Sequence, residues 1–327
     1  MTARLAQWGR IPNRGQLRQA LIPSGATVLK NPVGSAPGFY LTWKKALIVS
    51  LPGVPREMEE MMRQEVVPLL HAASQLSGRS FRAPIARQVF HTFGLAEADV
   101  DASLKGLVSK GMPVALGLLA SPMGVLVSLT TKGNQSIPEK NRDLLQKLAN
   151  GVRSRLSDWL FAEGQETMEE VVGRELTKRG LMLAVAESCT GGLIGDRITN
   201  LPGSSEYFWG SLVTYAYEAK VALLHVSWDT LRSHGAVSRE TVLEMAHGAR
   251  EALGTDIAVS VSGIAGPGGG TEEKPVGTTW ISLVAVDGEW ARTFQFDGDR
   301  LQNKASAADA ALQLLLDYLE GKVERKE

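Results

Sequence analysis

The chain reads as an α/β protein: a three-layer C-terminal domain with a mixed sheet, preceded by a small α+β domain and a partial α/β domain. Three observations predict this. Residues 167–322 alternate short apolar runs with amphipathic stretches, the pattern of strands covered by helices on both faces. Residues 80–160 change to a β-α-β-β-α order. The 327 residues exceed what one ordinary core organises, so more than one domain is expected.

The segment up to Leu21 is basic and opens no strand. After the turn-rich stretch 31–39 (NPVGSAPGF), residues 46–51 form an apolar run ended by Pro52 and Gly53, which predicts one buried strand. Residues 54–70 carry acids in the first turn and apolar side chains at helical spacing, hence a helix. One strand and one helix cannot bury both faces of a sheet, so this front part reads as incomplete. In the middle part the spacing predicts strands at 88–93, 113–119 and 124–129, with helices at 96–109 and 138–160. The polar residues 162–166 read as a linker, giving domains at 1–77, 78–163 and 164–327.

In the last part, helix 168–179 leads through Gly180 to a strand at 181–186, then a turn and a helix at 191–199. A strand is expected at 210–215 and a helix at 218–224, followed by a helix at 238–253 with a capping box built from Ser238, Thr241 and Glu244. Residues 256–262 read as a buried strand, and 278–286 with 289–296 as a hairpin joined by Asp287-Gly288. A helix at 302–319 closes the domain, whose mixed sheet holds one antiparallel pair.

Composition excludes several classes of function. Lys plus Arg and Asp plus Glu are both 35, so no net positive charge favours nucleic acid or a polybasic membrane contact. Cys189 is the one cysteine, which forbids an internal disulfide or a cysteine-based zinc site. The five histidines show no HExxH and no paired spacing, so no metal is expected there. No apolar run reaches the length of a membrane span and no signal sequence opens the chain, so a cytoplasmic protein is expected.

Three local patterns carry chemistry. Glu187-Ser188-Cys189-Thr190-Gly191-Gly192 delivers two hydroxyls and a thiol from a strand to the start of a helix, where free N–H groups favour anions. A plain helix cap by Ser or Thr explains the same residues. Gly263 to Gly270 places five glycines after a buried strand, either a cradle for an oxyanion or phosphate or a surface loop. Tyr215 and Lys220 lie five residues apart at a strand end and on the next helix, where a lysine of lowered pKa can act as a base. Arg300 follows the hairpin as a possible anion contact.

ESCTGG at 187–192, VTYAYEAK at 213–220 and SGIAGPGGG at 262–270 together resemble the C-terminal domain of the CinA family, the competence/damage-inducible proteins. ETMEEVVGRELTKRG from Glu166, HGAVS from His234 and GTEEKPVGT from Gly270 fit the same pattern. The middle part resembles the KH-like domain of the long family members. NPVGSAPGF and LPGVPREMEEM (51–61) resemble the end of their molybdopterin-binding-like domain, whose earlier part has no counterpart in these residues.

The resemblance implies hydrolysis of the carboxamide of nicotinamide mononucleotide to nicotinate mononucleotide and ammonia, with no cofactor. It implies Ser188 as nucleophile, Lys220 as the base that takes its proton and returns one to ammonia, and Tyr215 as the residue that orients the pair or completes the proton path. Cys189 adjoins the nucleophile, but neighbours on a turn point in different directions, so Ser188 is preferred. Backbone N–H groups at Ser262 and Gly263 would hold the oxyanion. Thr190, Gly191, Gly266, Gly268, Gly269 and Arg300 would bind phosphate and ribose. The resemblance also implies a homodimer. A divalent metal enters only with the ADP-ribose pyrophosphatase activity of a complete front domain, which is the alternative function. A non-enzymatic competence or recombination partner is the third reading, disfavoured by the zero net charge.

Overall fold

The computed structural model describes residues 9, 11, 13–18, 20–44, 46–77, 85–121, 124–131 and 139–323. The chain divides into two units, one up to Pro84 and one holding Ile85–Lys132 with Ile137–Glu327.

The front unit contains α1 (Arg14–Arg18) and an antiparallel sheet of β1 (Thr27–Leu29), β2 (Gly38–Trp43) and β3 (Ala46–Ser50), in that order. Pro55 opens α2 (Pro55–Met61), where its missing N–H costs no bond, and Glu57 complements the helix dipole. A π turn at Met62–Val66 leads into α3 (Val67–Ser77). Leu29, Met61 and Val66 form a small core. The expected buried strand at 46–51 is instead half-buried on alternate residues only, with Ile48 exposed. Exposed Val28 and Trp43 repeat the reason on the same sheet: only part of its apolar surface is covered.

The second unit begins with β4 (Arg87–Thr92), α4 (Glu97–Leu104), β5 (Val114–Ser121), β6 (Gly124–Thr131), α5 (Glu139–Leu156) and β7 (Leu160–Glu163). The sheet order is β5-β6-β4-β7, antiparallel throughout. Two expectations change here. The helix expected to run to 160 stops at Leu156, and the expected linker begins inside β7, which pairs with β4 and buries Ala162. Helix α4 ends at Leu104 rather than 109, because Lys105 leaves helical geometry and Gly106 adopts φ 76°.

The rest of this unit is a three-layer sandwich, the fold class the sequence predicts. Its sheet runs β12-β11-β10-β8-β9, made of β8 (Leu183–Glu187), β9 (Phe208–Val213), β10 (Ile257–Gly263), β11 (Thr278–Ala285) and β12 (Gly288–Gln295). Strand β8 is parallel to β9 and β10, whereas β11 is antiparallel to both neighbours, giving two antiparallel pairings where one was expected. The register Ala285↔Gly288 puts Val286 and Asp287 at the tip of the hairpin, one residue before the expected Asp287-Gly288.

Helix α6 (Met168–Arg179) starts with a capping box between Thr167 and Glu170 and ends at left-handed Gly180. After α6 come α7 (Leu193–Thr199), α8 (Tyr217–Leu224), α9 (Trp228–His234), α10 (Arg239–Leu253) and α11 (Arg300–Leu319). Val172 and Leu176 of α6 pack with Leu312, Leu315 and Leu316 of α11 in one core. Leu224, Met245 and Ala246 form another with Ala184, Ala258 and Val284 of the sheet. Since Ala184 and Val185 are successive β8 residues in different cores, the two lie on opposite faces. Helix α9 was not anticipated. The capping box at Ser238 is incomplete because its third helical position is Thr241, whose N–H donates to Ser238 but whose hydroxyl donates to the Gly235 carbonyl; Glu244, a turn further on, accepts from the Ser227 N–H and the Thr230 hydroxyl at the start of α9.

Among the described residues, no helix is long and apolar enough to cross a membrane.

Candidate active site

Strand β8 is buried at all five positions, and its last residue, Glu187, is fully buried although charged. Its carboxylate accepts from the N–H groups of Gly192 (2.9 Å), Ile194 (3.1 Å) and Gly195 (2.9 Å), and from the Ser211 hydroxyl (2.7 Å). The start of α7 is therefore closed by an internal anion. This corrects both readings of the turn. Neither Ser188 nor Thr190 is the cap, and the N–H groups expected to attract a phosphate are already occupied. Two left-handed glycines, Gly191 (φ 63°) and Gly192 (φ 96°), bend the chain so that a strand residue can cap the helix that follows it.

The same turn fixes Ser188. Its N–H donates to Val261 of β10 (3.0 Å), and its carbonyl accepts from Gly191 (3.1 Å). Across the β8–β9 edge, Lys220 in the first turn of α8 points back beneath the sheet end and is fully buried. Its Nζ lies 2.9 Å from Ser188 Oγ, 2.6 Å from the Thr214 carbonyl and 3.4 Å from the Tyr215 carbonyl. Burial pushes the Lys220 amine down to about 8, because no carboxylate compensates the loss of solvation. The cause is desolvation.

A neutral amine has two N–H bonds and one lone pair. The two carbonyls can only accept, so they take the two N–H bonds and leave the lone pair for the Ser188 hydroxyl. With the proton on nitrogen, the third N–H faces Ser188 Oγ. The arrangement thus accommodates both protonation states without moving a heavy atom.

Tyr215 is placed differently from the expectation. Strand β9 ends at Val213, so Tyr215 follows it in the connection to α8, and its ring is 61% exposed. It meets Lys220 through its backbone carbonyl, while its phenol oxygen accepts from Arg300 Nη2 at 3.0 Å. The phenol does not orient the Ser188–Lys220 pair. Arg300 also donates to the Gly266 carbonyl at 2.6 Å, which ties the glycine-rich loop to the Tyr215 segment.

The oxyanion candidates separate as well. Ser262 lies opposite Trp280, and the Ile264 N–H donates to Thr278, so alternation along the ladder turns the Ser262 N–H toward β11. Gly263, one residue on, presents its N–H toward β8, whose pairing with β10 ends at Glu187, just before Ser188. Only Gly263 of the two keeps an N–H on the side of Ser188. The hydroxyls of Ser262, Thr190 and Thr214 are buried without a hydrogen-bond partner. Thr190 is wholly buried, which removes it from the expected ribose contacts. Gly268 and Gly269 stand exposed at the loop tip, while Gly266 is buried. Asn303 anchors the loop base, donating to Ala265 (3.2 Å).

Cys189 is 5% exposed, and burial raises its thiol to about 11. A thiol held neutral is a poor nucleophile at ordinary pH. Glu187, Thr214 and Asn303 carry the geometry yet had no role assigned from sequence. An acid five residues before a Gly-Gly helix start was the one available signal for Glu187.

Residues 165–319 match the family model described as the CinA C-terminal domain, and residues 87–162 match that of the damage-inducible protein CinA KH domain. A putative competence-damage inducible protein of Halothermothrix orenii is 40% identical over 305 residues, covering 93% of this chain and 71% of that protein. A CinA-like protein of Geotalea uraniireducens is 42% identical over 283 residues, 86% of this chain and 66% of its own. Among solved structures, the competence/damage inducible protein CihA of Agrobacterium tumefaciens is 38% identical, covering 47% of this chain and 97% of that chain at a TM-score of 0.45. At such identity over most of its length, with both family models matched in order, the chain belongs to the CinA family.

Proposed function

We propose that the chain is an amidase that hydrolyses the carboxamide of nicotinamide mononucleotide to nicotinate mononucleotide and ammonia. The observation that carries the reading is the Ser188–Lys220 pair: a buried amine of lowered pKa, 2.9 Å from a hydroxyl, with its other hydrogens taken by two main-chain oxygens. An amide is a weak electrophile, so an unassisted serine would be too slow and a base is needed.

Neutral Lys220 removes the Ser188 proton as Oγ attacks the carboxamide carbon. The Gly263 N–H faces the oxygen that becomes negative, a contact of the kind whose loss usually costs about 3 kcal/mol in the transition state. Lys220, now an ammonium, gives its proton to the departing nitrogen, and the C–N bond breaks to release ammonia. The acyl ester on Ser188 is then hydrolysed by water, with Lys220 again as base. The sum is amide plus water to carboxylate plus ammonium.

The test is ammonia release from nicotinamide mononucleotide by the full chain, its Ser188→Ala variant and its Lys220→Ala variant. Both variants should lose turnover by about 1000-fold or more while keeping native circular dichroism. A Lys220→Ala protein with unchanged turnover overturns the reading.

A further inference from the structure

Two of the three anion sites expected from the sequence are engaged within the chain. The α7 start holds the Glu187 carboxylate, and Arg300 holds Gly266 and Tyr215. Other cations in this domain are likewise paired: Lys274 donates to the carbonyls of His234 and Val237, and Arg197 pairs with Glu169 and Asp309.

Lys304 is not paired in this way. It lies one turn after Arg300 on α11 and is half-buried. A Cβ built on Gly191 would sit 3.5 Å from its Nζ, so the ammonium stands directly over the turn that carries Ser188. Among the described residues it has neither an ion pair nor a hydrogen bond, and no carboxylate neutralises it. Next to Gly191, the Thr190 hydroxyl is fully buried and also unpartnered. Glycine at 191 keeps the space in front of the amine open, since any side chain there would point at it. The Gly191 N–H closes a tight turn on the Ser188 carbonyl at 3.1 Å, so the amine and the Ser188 hydroxyl belong to one short turn.

From this placement we infer that Lys304 binds the 5′-phosphate of the substrate and sets the preference for a nucleotide over its nucleoside. The inference rests on the amidase reading above for the identity of the substrate. A lysine suits the task, because an ammonium offers three donors to phosphate oxygens without demanding a fixed fork geometry.

The experiment compares the full chain with Lys304→Gln and Lys304→Arg, measuring ammonia release from nicotinamide mononucleotide and from nicotinamide riboside. Lys304→Gln should raise KM for the mononucleotide by about tenfold or more, the loss expected of one charge-assisted hydrogen bond. Its kcat and its KM for the riboside should stay near those of the parent, and Lys304→Arg should restore most of the preference. An unchanged ratio of kcat/KM between the two substrates in Lys304→Gln overturns the role of Lys304 and leaves the amidase standing. If the parent chain releases no ammonia from either compound, the amidase reading fails. Calorimetric titration with nicotinamide mononucleotide then decides for Lys304 separately: weaker binding by Lys304→Gln supports the anion site, and equal binding removes it.

Discussion

A Cβ added to Gly248 would lie 1.9 Å from the carbonyl oxygen of Leu224, so α10 touches the end of α8 backbone to backbone. Helix α8 carries Lys220 one turn earlier, and the contact fixes how far that helix sits from the sheet. Gly248→Ala should therefore destabilise the fold by about 1–3 kcal/mol and displace α8. Chemical denaturation would report the first effect. A fall in ammonia release larger than the unfolded fraction accounts for would report the second.

Activity should rise with pH through about 8, the value to which burial lowers the Lys220 amine. Only the neutral amine can accept the Ser188 proton, so kcat/KM should fall tenfold per pH unit well below that point. A profile flat between pH 6 and pH 9 would exclude Lys220 as the base.

The same shift predicts a link to stability. The folded value lies below the ordinary 10.5 of a lysine, so the folded state disfavours the cation. That cost is full below about pH 8 and fades as pH rises toward 10.5. Lys220→Met removes it. The variant should gain stability over the parent by more at pH 7 than at pH 10, and it should release no ammonia. An equal difference at both pH values would mean the amine is not depressed.

Glu187→Gln replaces an oxygen that accepts backbone hydrogen bonds by an NH2 group that cannot. At least one N–H among Gly192, Ile194 and Gly195 then faces a donor, a loss of about 1–3 kcal/mol. Because the same residues shape the Ser188 turn, kcat should fall while the pH midpoint of activity stays in place. A shifted midpoint would show instead that Glu187 acts on Lys220 directly.

Much of this architecture was legible in the sequence, for identifiable reasons. Strands β8 and β10 are apolar runs bounded by turn residues, and they fall within two residues of their expected limits. Strand β7 is hard to read because its four residues follow a long helix after a gap of just three and include Glu163. Helix α9 escaped because seven residues with one buried side chain carry no clear period. The Ser188–Lys220 pairing came from motif resemblance. Spacing alone could not supply it, since a lysine on a helix looks the same whether it is solvated or buried at 0% exposure. The direction of the Tyr215 side chain is not legible in the sequence, because the strand stops at Val213, after which alternation no longer says which way a residue points.

The oxygens that aim the Lys220 amine belong to the peptide units of residues 214 and 215, not to their side chains. Many hydrolases devote an aspartate to holding their base, and one substitution can abolish that service. Here every amino acid supplies the same group at both positions. The alignment of the base is thus an attribute of the path the chain takes between two elements, tolerant of point changes at either position and vulnerable to an insertion or deletion that alters the length of that path.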